Sequence, residues 1–113
     1  MPVPLSTHWF HILLALADKP QHGVAITEEV LEHSDGRLQL WPGMLYTALR
    51  KMTDAGYVVE IPAPDGFSAG GGKPRFYRIT PLGKRVCAAE ASRLARIVGT
   101  ARDKRVLKGT RAV

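Results

Sequence analysis

Two short runs, Tyr57-Val58-Val59-Glu60-Ile61 and Arg75-Phe76-Tyr77-Arg78-Ile79, have the β-branched and aromatic make-up of strands, in a chain whose other apolar residues mostly recur at helical spacing. They confine the fold to one hairpin set among helices. Alternation puts Tyr57, Val59 and Ile61 inward with Tyr77 and Ile79. The thirteen residues from Pro62 to Pro74 include four glycines and three prolines. They read as a flexible connection rather than a further element.

Helices flank this hairpin on both sides. Ser6 or Thr7 can cap a first helix in which Trp9, Ile12, Leu13 and Leu16 recur at helical spacing, and Pro20 ends it. A second helix begins between Gln21 and Gly23 and runs to about Ser34 with Ile26, Val30 and Leu31 on one face, and Asp35-Gly36 stops it. Leu38-Gln39-Leu40 alternates and reads as a brief strand. Trp41-Pro42-Gly43 then opens a third helix with an inner stripe of Leu45, Ala48, Leu49 and Met52, ended by Gly56. Thr80-Pro81 starts a fourth, whose apolar face is Leu82, Val86, Leu94, Ile97, Val98 and Ala101.

At 113 residues the chain holds one domain. Its core is thin enough that a subunit interface would help bury what stays apolar. The longest apolar run, Ile12 to Ala17, is far short of the roughly 18 residues a membrane span requires. No basic residue precedes that run to make a signal peptide, so the expected location is the cytoplasm. One cysteine, Cys87, excludes an internal disulfide and a multi-cysteine zinc site, and it reads as a small packing residue. His8 and His11 share a helix face without local carboxylates, so they read as surface or interface residues and no metal is expected. The glycines before Lys73 lack the spacing of a phosphate-binding loop. Neither a nucleophile elbow nor a recognisable carboxylate pair is present, so no enzyme and no cofactor are expected.

Charge is divided unevenly along the chain. The net +6 is composed of −2 over residues 1–56 and +8 over residues 57–113. The second half thus carries a footprint suited to a polyanion.

The order helix, helix, short strand, helix, hairpin, helix is that of a winged helix-turn-helix, mostly α with a small β-hairpin, followed by a C-terminal helix. Within it, His11-Ile12-Leu13-Leu14-Ala15-Leu16, His22-Gly23-Val24-Ala25-Ile26, Pro42-Gly43-Met44-Leu45-Tyr46 and Phe76-Tyr77-Arg78-Ile79-Thr80-Pro81-Leu82-Gly83 together resemble PadR-family transcriptional regulators. The resemblance covers about residues 5–102. It implies a homodimeric DNA-binding regulator, usually a repressor, with the first and fourth helices at the dimer interface. Some family members release DNA on binding small aromatic molecules, so a small hydrophobic or aromatic effector is a further expectation. The chain departs from the family at Val24, where an aromatic is usual, at Met44, where threonine is usual, and at Gly70-Gly71-Gly72, where the wing tip is usually charged.

The expected layout is one unit over residues 1–113, with the winged helix-turn-helix over about 5–80, a dimerisation helix over about 81–108 and a frayed tail over 109–113. With its stripe turned inward, the third helix offers Tyr46, Thr47, Arg50 and Lys51 to DNA. An arginine can contact guanine bidentately, and a lysine or tyrosine hydroxyl can hold a phosphate. On an isolated helix the same residues would be an ordinary solvated face. Lys73 and Arg75 on the wing supply cations to the backbone or minor groove, while Arg78 reads equally as a charge that blunts a sheet edge. Leu94, Ile97, Val98 and Ala101 continue an apolar face beyond what the domain needs, which points to a homodimer and hence to double-stranded DNA with an inverted-repeat operator. Two other functions fit the pattern less well: a winged-helix protein-interaction module, and a small-molecule-responsive binding protein using Trp9, Trp41 and Met44.

Overall fold

A computed structural model describes residues 5–67 and 74–107. The elements are α1 (Thr7–Ala15), β1 (Gln21–His22), α2 (Gly23–His33), α3 (Pro42–Asp54), β2 (Val58–Ile61), β3 (Phe76–Ile79) and α4 (Pro81–Asp103). The strands form one antiparallel sheet in the order β1-β3-β2. This is a winged helix, with β2 and β3 as the wing hairpin.

Helix α1 is the hub, lying against α2, α3 and α4. Ser6 caps it by accepting from the Trp9 N–H at 3.2 Å, and Ile12, Leu13, Ala15 and Leu16 are buried among the other helices. Its C-terminal end is closed from outside. The buried Gln21 amide donates to the Ala15 carbonyl at 2.5 Å and to Glu29 Oε1 at 2.8 Å, tying the end of α1 to α2. Gln21–His22 also pairs with Phe76–Tyr77 of β3.

That pairing corrects the expected strand at Leu38-Gln39-Leu40. The side of β3 not paired with β2 is taken by β1, and residues 38–40 pair with neither outer strand. Leu38 and Leu40 nevertheless point inward, and the Leu38 N–H is held by Ser34 Oγ at 2.9 Å, so the alternation reflects a packed connection rather than a ladder. The element order is therefore helix, strand, helix, helix, hairpin, helix.

The hairpin contains a second correction. Val58 faces Ile79 and Glu60 faces Tyr77, so Val58 shares the core side with Tyr77 and Ile79. Val58 is 2% exposed, whereas Tyr57, Val59 and Ile61 are half-buried. The expected inward set of β2 is thus off by one residue, which exchanges the two faces of a strand. On the outer side, Phe76 is covered by Phe67 (ring centroids 4.8 Å apart) and by the His22 ring (5.4 Å).

Thr80 joins the two longest helices. Its N–H reaches the Tyr57 carbonyl at 3.0 Å, its hydroxyl donates to the Gly56 carbonyl at 2.5 Å, and the same oxygen caps α4 by accepting from the Gly83 N–H at 3.0 Å. Gly83 is needed there because a Cβ would collide with the Tyr57 carbonyl oxygen and lie 2.9 Å from the Ile79 side chain. Further along α4, Cys87 is buried as expected, and burial pushes its thiol above the usual range. Glu90 is also buried, and the Arg93 guanidinium clasps it at 3.0 and 2.5 Å, which holds its carboxyl below the usual range. Nothing beyond Glu90 on α4 is buried. The helix stops at Asp103 rather than near 108, because Arg105 takes a left-handed φ of 62° and the Val106 N–H turns back to the Ala101 carbonyl at 2.9 Å.

Candidate nucleic-acid interface

The orientation of α3 follows from its inner stripe. Leu45, Ala48, Leu49 and Met52 are all buried, so the opposite face must be turned to solvent. Tyr46, Thr47, Arg50 and Lys51 are exposed on that side, as the spacing predicts. Among the described residues neither Arg50 nor Lys51 is in an ion pair. Their donors are therefore free for an external acceptor.

Tyr46 is less outward than the other three. Its ring lies across the start of α2, where a Cβ on Gly23 would collide with the phenol oxygen and come within 3.0 Å of Cζ. Gly23 is thus the residue that lets α3 seat against the second helix. Immediately before it, His22 Nδ1 accepts from the Ala25 N–H at 3.2 Å and caps α2. The same imidazole packs on Phe67 at 5.0 Å and on Phe76. A continuous line of contacts, Tyr46 to Gly23, His22 to Phe67 and Phe76, thereby fixes the wing relative to α3. His22 thus serves both the start of α2 and the wing. Its part in holding the wing was not legible, because Phe67 lies in a segment read only as a connection.

The basic residues of the hairpin do not act as a group. Arg75 pairs with Glu60 across the strands at 3.8 Å, with both side chains exposed, and burial raises the pKa of the neighbouring Tyr77. Arg78 is exposed near the base of the hairpin, where it lines a shallow groove with Lys19 and Lys84. Lys73 and Gly70-Gly71-Gly72 lie outside the described residues.

Two further surfaces bear on function. Leu94 and Ala101 are half-buried and Ile97 and Val98 are 53% and 43% exposed, which leaves an apolar stripe along the distal half of α4. Trp9 packs edge-on against Tyr57 at 6.0 Å on the margin of the core. Trp41, just before α3, and Met44, in its first turn, are by contrast exposed, so these three residues do not converge on one pocket. On α1, the Nδ1 atom of His11 is buried without a hydrogen-bond partner. Burial, then the neighbouring His33 and His8, lower its pKa from the ordinary 6.5. No group of three metal-ligating side chains occurs among the described residues, and no helix there is long and apolar enough to cross a membrane.

Comparison with known proteins adds to this geometry. Residues 12–89 match the model of the transcriptional regulator PadR-like family. A protein of 37.1 kDa from a Streptomyces fradiae transposon, itself uncharacterized, is 34% identical over 88 residues, covering 78% of this chain. This chain spans only 23% of that relative's length. Among solved structures, a PadR-like transcriptional regulator from Bacillus cereus superposes with a TM-score of 0.70 at 18% identity, covering 90% of this chain and 92% of the other. Bacillus subtilis PadR in complex with operator DNA superposes with a TM-score of 0.62 at 21% identity, covering 74% of this chain and 46% of the other.

Proposed function

Since this chain belongs to the transcriptional regulator PadR-like family, we propose that it acts in the cytoplasm as a homodimeric repressor that binds an inverted-repeat operator. The reading rests chiefly on the outward face of α3, where Thr47, Arg50 and Lys51 stand exposed and the two cations are free of ion pairs among the described residues. Arg50 reads a base edge, Lys51 holds a phosphate, and Thr47 contacts either. Tyr46 contributes its exposed edge while its hydroxyl stays against Gly23. In the wing, Arg75 exchanges its exposed partner Glu60 for phosphate, and Lys73 adds a second cation.

The dimer is formed by α1 and α4 through Leu94, Ile97, Val98 and Ala101, which gives a single unit composed of the winged helix and the long helix after it. Paired α3 helices then enter successive major grooves, with half-site centres about one helical turn, roughly 10 bp, apart or a multiple of it. A small apolar effector entering between the α1 and α4 faces would alter that spacing, and Trp9 fluorescence would report its entry. The decisive experiment is to incubate the purified chain with genomic fragments and sequence those retained. A recovered motif with two-fold symmetry supports the proposal. Retention of no sequence above background rejects it and favours a protein-interaction module on the same helix.

A further inference from the structure

The face of α3 assigned to DNA carries one aliphatic side chain that the cations and hydroxyls leave unexplained. Met44 stands in the first turn, 42% exposed and outside the core cluster. Beside it, Gly43 has open space where a Cβ would project, and its φ is not left-handed, so nothing within the described chain requires glycine there. Bare backbone next to an exposed thioether gives this turn low relief, and a flat surface could come into van der Waals contact with Met44. Thr47 and Lys51 follow at three and seven residues, on the same flank of the helix.

An apolar occupant is what such a side chain selects, because burying it against another apolar group removes both from water. In the major groove that group is the 5-methyl of thymine, the feature that distinguishes an A·T pair by apolar contact. Methionine's unbranched, polarizable chain adapts to such a target. The exposed Arg50 and Lys51 on the same helix and the +8 balance of residues 57–113 favour a polyanion over an apolar protein surface as what meets this face. We infer that Met44 is a specificity-determining residue that reads the methyl group of one thymine in each half-site. The inference rests on the DNA-reading function proposed above.

The test uses a duplex selected from a random library by the purified full-length chain, remade with deoxyuridine in place of thymidine at one symmetry-related pair of positions at a time. This substitution deletes the methyl and leaves base pairing intact. At one pair of positions it should weaken binding by about fourfold per half-site, hence about fifteenfold for the duplex, from the loss of one buried apolar carbon at each. Met44→Ala, exposed and therefore harmless to the fold, should bind the thymidine duplex more weakly and show no further loss with deoxyuridine there. Met44→Leu should retain most of the sensitivity. Wild type indifferent to deoxyuridine at every position overturns the inference while leaving DNA binding standing. So does a Met44→Ala protein that loses as much as wild type. Failure to select any duplex overturns both readings together.

Discussion

The face of α3 and the distal half of α4 are both left open by the same fold, yet they are opposite in kind. On α3 the stripe of Leu45, Ala48, Leu49 and Met52 is spent on the core, and what remains outside is mainly polar, Thr47, Arg50 and Lys51 beside the exposed parts of Met44 and Tyr46. On α4 the core takes only Gly83, Cys87 and Glu90, and the apolar residues Leu94, Ile97, Val98 and Ala101 come after the packed part has ended. A polar exposed face is already at ease in water and needs no partner for stability. An apolar stripe on a helix lacking neighbours does not have that freedom, and its cheapest partner is the same stripe on a second copy. On the proposed reading, assembly falls to α4 and recognition to α3, and the two can be broken separately.

The largest effect should come from α4. Leu94→Asp with Ile97→Asp places two charges in the proposed interface, each costing on the order of 3 kcal/mol when buried without a partner. The dimer constant should weaken by more than about a hundredfold. Because neither residue is fully buried in one copy, the far-UV dichroism should stay that of a folded helical domain while light scattering gives the monomer mass. A folded dimer that persists would remove α4 from the interface.

Next in size is Arg50→Ala. It should cost about 1–3 kcal/mol per contacted base and relax preference at one position in each half-site, leaving the dimer mass unchanged. A competition assay across single-base operator variants measures this, and unaltered preference at every position would take base reading away from Arg50. Lys51→Ala should act differently, weakening all duplexes alike. If it holds one phosphate per subunit, the slope of log affinity against log salt should flatten by about 0.9 per contact, or about 1.8 for the dimer. A full slope with the variant would show that Lys51 touches no phosphate.

How much of this could be read from the sequence depends on how many residues carried each signal. The α3 stripe spans three turns, so its period determined which side chains face outward, and all four expected contact residues are exposed. The inward face of β2 rested on Val58 and Val59, two identical residues that no alternation rule can tell apart, and the pairing of Val58 with Ile79 decided it. Strand β1 has two residues, too few for any periodicity, while Leu38-Gln39-Leu40 alternates because Leu38 and Leu40 pack on the core without joining the sheet, where β1 fills the place beside β3. Arg75 reads as a free cation because Glu60 lies fifteen positions away in sequence and comes within reach of it only once the hairpin closes. Gly23 and Phe67 were silent for a related reason, since their importance lies in what touches them.

The smallest expected effect belongs to α1, the hub against which α2, α3 and α4 pack, and it separates scaffold from interface. Burial and the neighbouring His33 and His8 depress the His11 pKa in the folded chain below its ordinary 6.5, and Glu29 Oε2 sits 3.8 Å from His33 Nδ1. Folding therefore disfavours the protonated imidazole, and the unfolded chain binds the extra proton first as pH falls. The contribution of His11 is fully present above the unfolded value and diminishes as pH drops through 6.5, whereas the Glu90 carboxyl is held below the ordinary 4.5 by Arg93. Thermal denaturation between pH 7.5 and 5.5 should show a small, steady fall in Tm that His11→Phe flattens, with the Glu90 contribution untouched across that window. The effect lies in the hub rather than on either open face, so the salt slope of operator binding at pH 7.5 should be the same for His11→Phe as for wild type. A Tm profile in wild type that is flat or rises toward pH 5.5 would remove the buried imidazole from the stability of the hub.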